Sequence, residues 1–113
     1  GHDYPVTWGP LEAPERRHSP GQTDHGGVVT QGLEQGAAAF AKLEGCWWGN
    51  DVCYFVSSGG GRAEAGQIWS FAPRTQTLRL VFESPAKSIL DKPDNVTVSP
   101  RGGLVLCEDS DQP

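Results

Sequence analysis

Short apolar segments, separated by turn-forming residues, dominate the chain from residue 37 onward. Gly, Pro, Asn, Asp and Ser cluster between the segments, where they favour turns. The segments themselves are rich in β-branched and aromatic residues, which favour strands. They read AAAFAKLEG (37–45), DVCYFVSS (51–58), GQIWSFAP (66–73), LRLVFES (78–84), NVTVSP (95–100) and LVLCED (104–109). The pattern predicts about six short strands in three hairpins, an all-β antiparallel meander that a sandwich, a barrel or a propeller would accommodate.

The first 36 residues show no sustained hydrophobic period. Four prolines fall between residues 4 and 27, and the only helical pattern is a possible short turn within VVTQGLEQG (28–36). We therefore expect an irregular N-terminal segment over residues 1–36 and a β-rich part over residues 37–113.

Two of the apolar segments carry a glutamate where the predicted strand stops. Glu44 ends FAKLEG and Glu108 ends LVLCED. A carboxylate at the end of a buried strand is costly unless a cation meets it, so the pair suggests a shared cation. The alternative is that each glutamate pairs with a basic residue of the chain, for which Lys42 and Arg101 are available.

Further acidic residues occur late in the chain. In DKPDN, Asp91 and Asp94 suit turn chemistry, because Asp accepts backbone N–H bonds and Pro93 fixes φ. A functional interpretation adds Asp94 to a metal site. With Glu108, Asp109 and Asp111 these residues form an acidic end that either binds cations or is a solvated terminus.

Length, charge and cysteine content narrow the class of protein. A chain of 113 residues is enough for one small domain, and a net charge of −5 argues against a nucleic-acid partner. No apolar run approaches the ~20 residues of a membrane span, and no signal peptide is visible. Three cysteines leave at least one unpaired; Cys46 and Cys53 flank a predicted turn, WWGND, and either form a disulfide or remain free.

Several of these segments resemble the PhoX family of bacterial alkaline phosphatases. The resemblance lies in LEGCWW, GQIWSF, LVFESP and above all KPDNVTVSPRGGLVLCED, in the family's own order, with YPVTWGPLEAPE upstream. It implies a multi-bladed β-propeller several times longer than this chain, so that residues 37–113 would form about one to two blades. It also implies a periplasmic or secreted phosphomonoesterase that uses calcium and iron.

The resemblance implies metal-ligand roles for Glu44 and Glu108, and more weakly for Asp94. The family's iron-binding cysteine has no matching motif at any of the three cysteines, and no catalytic residue is assigned. We expect a fragment that carries part of the site and is inactive alone. The alternative is a non-enzymatic structural or calcium-binding propeller segment. Exposed strand edges would favour self-association in either case.

Overall fold

The computed structural model describes residues 2–17 and 27–110, so Asp111 lies outside the described residues. The described parts are mostly β, with one short helix. The elements are β1 (Asp3–Pro5), α1 (Val28–Glu34), β2 (Leu43–Gly49), β3 (Val52–Ser57), β4 (Gln67–Ala72), β5 (Thr77–Glu83), β6 (Pro93–Val98) and β7 (Leu104–Glu108). Within these parts no helix has the length and apolar character needed to cross a bilayer.

The strands form two antiparallel sheets. The larger has five strands in the order β1-β5-β4-β3-β2, and the smaller consists of β6 and β7. All three predicted hairpins are present, as β2–β3, β4–β5 and β6–β7. The all-β antiparallel prediction is therefore confirmed, although neither sheet closes on itself within the described residues.

The first hairpin differs from its prediction. The sequence predicts a strand over residues 37–45 that ends at Glu44, followed by a turn over WWGND (47–51). Instead β2 begins at Leu43 and continues through both tryptophans to Gly49. The turn is the pair Asn50–Asp51, whose φ angles of 52° and 61° suit the two-residue turns that match strand twist. Asn and Asp tolerate this left-handed region, whereas Trp favours the strand.

The N-terminal segment contains one strand that its sequence does not reveal. β1 pairs with β5, and Arg79 donates two hydrogen bonds to the Asp3 carboxylate at 2.6 and 3.0 Å. The Arg79 guanidinium lowers the pKa of Asp3. A three-residue strand is too short to show a hydrophobic period. The prediction of an irregular segment over residues 1–36 therefore did not include β1. The helix α1 lies within VVTQGLEQG (28–36), the segment with the helical pattern.

The chain divides into two compact units, Thr7–Ala39 and the remainder. In the first unit, the side chain of Gln31 in α1 exchanges hydrogen bonds with the backbone N–H and C=O of Ala13, at 3.2 and 2.9 Å. Gln35 donates to the carbonyl of Pro10 at 2.8 Å. These side-chain bonds fix α1 against the irregular segment that contains Pro10 and Ala13.

The second unit has a small core between its two sheets. Val56 of β3, Ile68 of β4 and Val96 of β6 are buried together. Three half-buried side chains pack around them: Tyr54, Leu104 and Leu106. Because Val96 belongs to the smaller sheet, burial of these apolar groups helps to hold the β6–β7 hairpin on the larger sheet.

Candidate metal site at the carboxylate edge

Glu44 lies at the start of β2, where a bulge falls between Leu43 and Cys46. The strand is largely exposed, so the expectation of a carboxylate ending a buried strand is wrong for this residue. The Lys42 Nζ lies 3.5 Å from Glu44 Oε1. The sequence left open whether Glu44 pairs with a basic residue of the chain. The ion pair with Lys42 is therefore present.

Glu108 is the last residue of β7, as predicted. It is also exposed, because β7 is an edge strand of the two-stranded sheet. Its Oε1 accepts a hydrogen bond from the backbone N–H of Asp91 at 2.9 Å. The glutamate thus caps the chain segment that leads into β6, and Arg101 is not its partner.

Asp94 occupies a second bulge, between Pro93 and Asn95 of β6. Pro93 is paired with Glu108, so Asp94 follows directly on the residue that faces Glu108 across the hairpin. Its side chain is exposed. Asp94 and Glu108 therefore sit at the same end of the smaller sheet.

A close backbone contact brings Glu44 to this end as well. A Cβ atom at Gly45 would lie 2.8 Å from the Cα of Asn95, so the backbones touch where only glycine fits. Glu44 directly precedes Gly45, and Asp94 directly precedes Asn95. We name the four acidic residues of this region the carboxylate edge: Glu44, Asp91, Asp94 and Glu108. Among the described residues, no three His, Cys, Asp or Glu side chains converge tightly enough to hold a metal.

Replacing Gly45 with alanine is expected to separate β2 from β6. The added methyl group would meet the Asn95 backbone, which cannot rotate away, and overpacking of this kind costs about 1–3 kcal/mol. Chemical denaturation should show the loss in the free energy of unfolding. A matched control is Gly103→Ala, where the nearest atom to the new Cβ is Ser99 Oγ at 3.5 Å. Equal stability of the two variants would show that the close approach does not hold the edge together.

Asp91 is the one residue of this edge that the sequence did not predict as a metal ligand. It is 6% exposed, and its Oδ1 has no hydrogen-bond partner among the described residues. Its burial depends on a contact distant in sequence, because the N–H of Lys92 donates to the carbonyl of Ala65 at 3.0 Å. The local motif DKPDN gives no signal that separates Asp91 from the exposed Asp94.

The three cysteines differ from these carboxylates in their chemistry. Cys46, Cys53 and Cys107 are all free thiols, so the disulfide alternative for Cys46 and Cys53 is not formed. Burial raises the pKa of the Cys53 thiol, and the neighbouring Cys46 thiol raises it further. Cys46 and Cys107 line a shallow groove beside Trp47 and Asn95, and none of the residues that line this groove is a carboxylate.

Comparison with protein families gives a match over nearly the whole chain. The family described as alkaline phosphatase PhoX matches residues 3–113 of the chain. No curated protein matches, and no solved structure matches. The family match spans both units and includes every residue of the carboxylate edge.

Proposed function

Because the chain belongs to the alkaline phosphatase PhoX family, we propose that it is part of a calcium- and iron-dependent phosphomonoesterase, with Glu44, Asp94 and Glu108 as metal ligands. The observation that carries the proposal is the contact of Gly45 with Asn95, which gathers these three residues at one end of two sheets. They come from three different strands of the two sheets.

The donor chemistry of the edge fits hard cations. All four of its side chains offer carboxylate oxygens, the ligands that Ca²⁺ prefers, and one of these oxygens, Asp91 Oδ1, is buried with no hydrogen-bond partner in the described parts of the chain. Without cations, the carboxylates would repel a phosphate ester. When bound, calcium and iron invert this local charge and polarise phosphoryl oxygens.

The residues of this chain hold and orient that site. Glu108 ties β7 to the segment before β6 through the Asp91 N–H, which fixes the spacing between the two acidic segments. Lys42 neutralises part of the charge of Glu44 and is exposed, so its flexible side chain can give way to a stronger cation.

The ligand set in this chain is partial. Ca²⁺ takes six to eight oxygens, whereas no three ligating side chains converge within the described residues. We therefore propose that the remaining ligands come from other blades of a longer β-propeller, and that the 113-residue chain alone has no significant turnover. The proposed location is periplasmic or secreted, the proposed substrate is a phosphate monoester, and self-association through exposed strand edges stays a prediction.

A second candidate is a non-enzymatic structural or calcium-binding propeller segment. The ion pair between Lys42 and Glu44 favours it, because that glutamate already has a partner without any metal.

Release of p-nitrophenol from p-nitrophenyl phosphate distinguishes the two candidates. We expect the full-length protein that carries this sequence to turn over this substrate when calcium and iron are supplied, and to lose activity after chelation. A metal-loaded full-length protein without activity would support the non-enzymatic alternative.

A further inference from the structure

Two of the three free thiols lie on neighbouring strands at the edge of the larger sheet. Cys46 belongs to β2 and Cys53 to β3. In the register of this hairpin Cys46 is paired with Phe55, and Cys53 lies two residues before Phe55 on the same strand. Residues paired across antiparallel strands share a face of the sheet, and so do residues two apart along one strand. The two thiols are therefore diagonal neighbours on one face.

The two side chains also interact directly. Burial raises the pKa of the Cys53 thiol, and the charge of Cys46 and a hydrogen bond with its thiol raise it further. Such a hydrogen bond requires that the two sulfur atoms lie side by side. The third thiol, Cys107, belongs to β7 in the smaller sheet. The hairpin β2–β3 thus brings together one specific pair of thiols.

A disulfide between these two residues needs only a small movement of β2. The Cα atoms of diagonal neighbours lie about 7–8 Å apart, whereas those of a disulfide lie about 4.4–6.8 Å apart. β2 is the outermost strand of its sheet, and its pairing with β3 is irregular between Leu43 and Cys46. A bulged strand bends locally, so Cys46 can approach Cys53 while the rest of the hairpin keeps its register.

We propose that Cys46 and Cys53 are a redox-active pair that forms an intrachain disulfide by exchange with an external disulfide such as oxidised glutathione. Cys46 is exposed and Cys53 is half-buried, so Cys46 reacts first. Its thiolate attacks one sulfur of the external disulfide, which forms a mixed disulfide and releases the first thiol. The Cys53 thiolate then attacks the Cys46 sulfur and releases the second. The chain loses two electrons and two protons, and the external disulfide gains them as two thiols.

The new bond would act next to the carboxylate edge. Cys46 directly follows Gly45, whose position against the Asn95 backbone leaves no room for a side chain. A shift of Cys46 toward β3 therefore changes the close contact between β2 and β6. This makes the pair a redox-sensitive device built into the hairpin, and the inference does not depend on a metal-ligand role for Glu44.

Oxidation of the 113-residue chain with oxidised glutathione, followed by alkylation and peptide mapping, tests the pairing. Chymotrypsin cleaves after aromatic residues, and Trp47 and Trp48 lie between the two cysteines, so the linked peptides can be identified. We expect the folded chain to form predominantly the bond between Cys46 and Cys53. The same treatment in concentrated urea gives the pairing of the unfolded chain, in which the native register is lost.

The variants Cys53→Ser and Cys107→Ser separate the two steps of the exchange from unspecific oxidation. Cys53→Ser should stop after the first step and retain glutathione on Cys46. The matched control Cys107→Ser should close the intrachain bond as the wild type does and carry no glutathione on Cys46.

Three results would overturn the proposal. They are a folded chain that forms no intrachain bond, a predominant bond to Cys107, and the same proportions of the possible pairings in native buffer and in urea. If Cys53→Ser fails to fold, the comparison of the folded and unfolded wild type decides the matter without it.

Discussion

Replacing Glu108 with glutamine in the full-length protein is expected to lower phosphatase turnover by about 100-fold or more. The change removes the negative charge that would hold a metal ion, and loss even of an outer partner of a metal ligand costs 10–100-fold in affinity or activity. The fold should survive, because the amide oxygen of glutamine can still accept the Asp91 N–H that Glu108 accepts at 2.9 Å. The measurement is p-nitrophenyl phosphate hydrolysis at saturating calcium and iron.

The matched control for this variant is Glu64→Gln. Glu64 is exposed in the loop between β3 and β4 and is not one of the four residues of the carboxylate edge, and its replacement should leave turnover unchanged. Wild-type turnover in Glu108→Gln, with unchanged metal content, would remove Glu108 from the metal centre.

The largest effect on stability is expected for Ile68→Ala. Ile68 is fully buried between the sheets with Val56 and Val96. Truncating a buried isoleucine to alanine removes apolar contacts and leaves a cavity, which costs about 2–5 kcal/mol in the free energy of unfolding. Loss of this contact should also loosen the β6–β7 hairpin that carries Asp94 and Glu108.

Urea unfolding measures this cost directly. The control Ile89→Ala makes the same chemical change at a side chain that is 65% exposed, and we expect it to change stability by less than about 0.5 kcal/mol. Similar losses for both variants would mean that the core between the two sheets is not the main source of stability.

Local pattern was enough to predict most of the strands. β4 and β5 lie where alternating apolar residues flank a turn, and β7 ends at Glu108 as its segment indicates. The prediction placed the start of β2 too early, because AAAF is apolar but lies outside any strand. The tryptophans, which the prediction assigned to a turn, belong to β2. The Asn50–Asp51 pair is the local signal that would have placed this turn correctly.

The candidate site was only partly predictable, because its arrangement depends on contacts between distant residues. Nothing local shows that Gly45 touches Asn95, although this contact brings the two acidic regions together. The burial of Asp91 depends on the contact between Lys92 and Ala65. A motif of turn-forming residues cannot reveal such a contact, so Asp91 was treated as part of an ordinary turn.

The central claim is that the carboxylates of this chain hold metal ions in a phosphatase. Elemental analysis of the purified full-length protein tests it most directly, with the wild type compared to the triple variant Glu44→Gln, Asp94→Asn and Glu108→Gln. We predict bound calcium and iron in the wild type and clearly less calcium in a triple variant that remains folded. A metal-free wild type, or the same calcium content in both proteins, would contradict the claim.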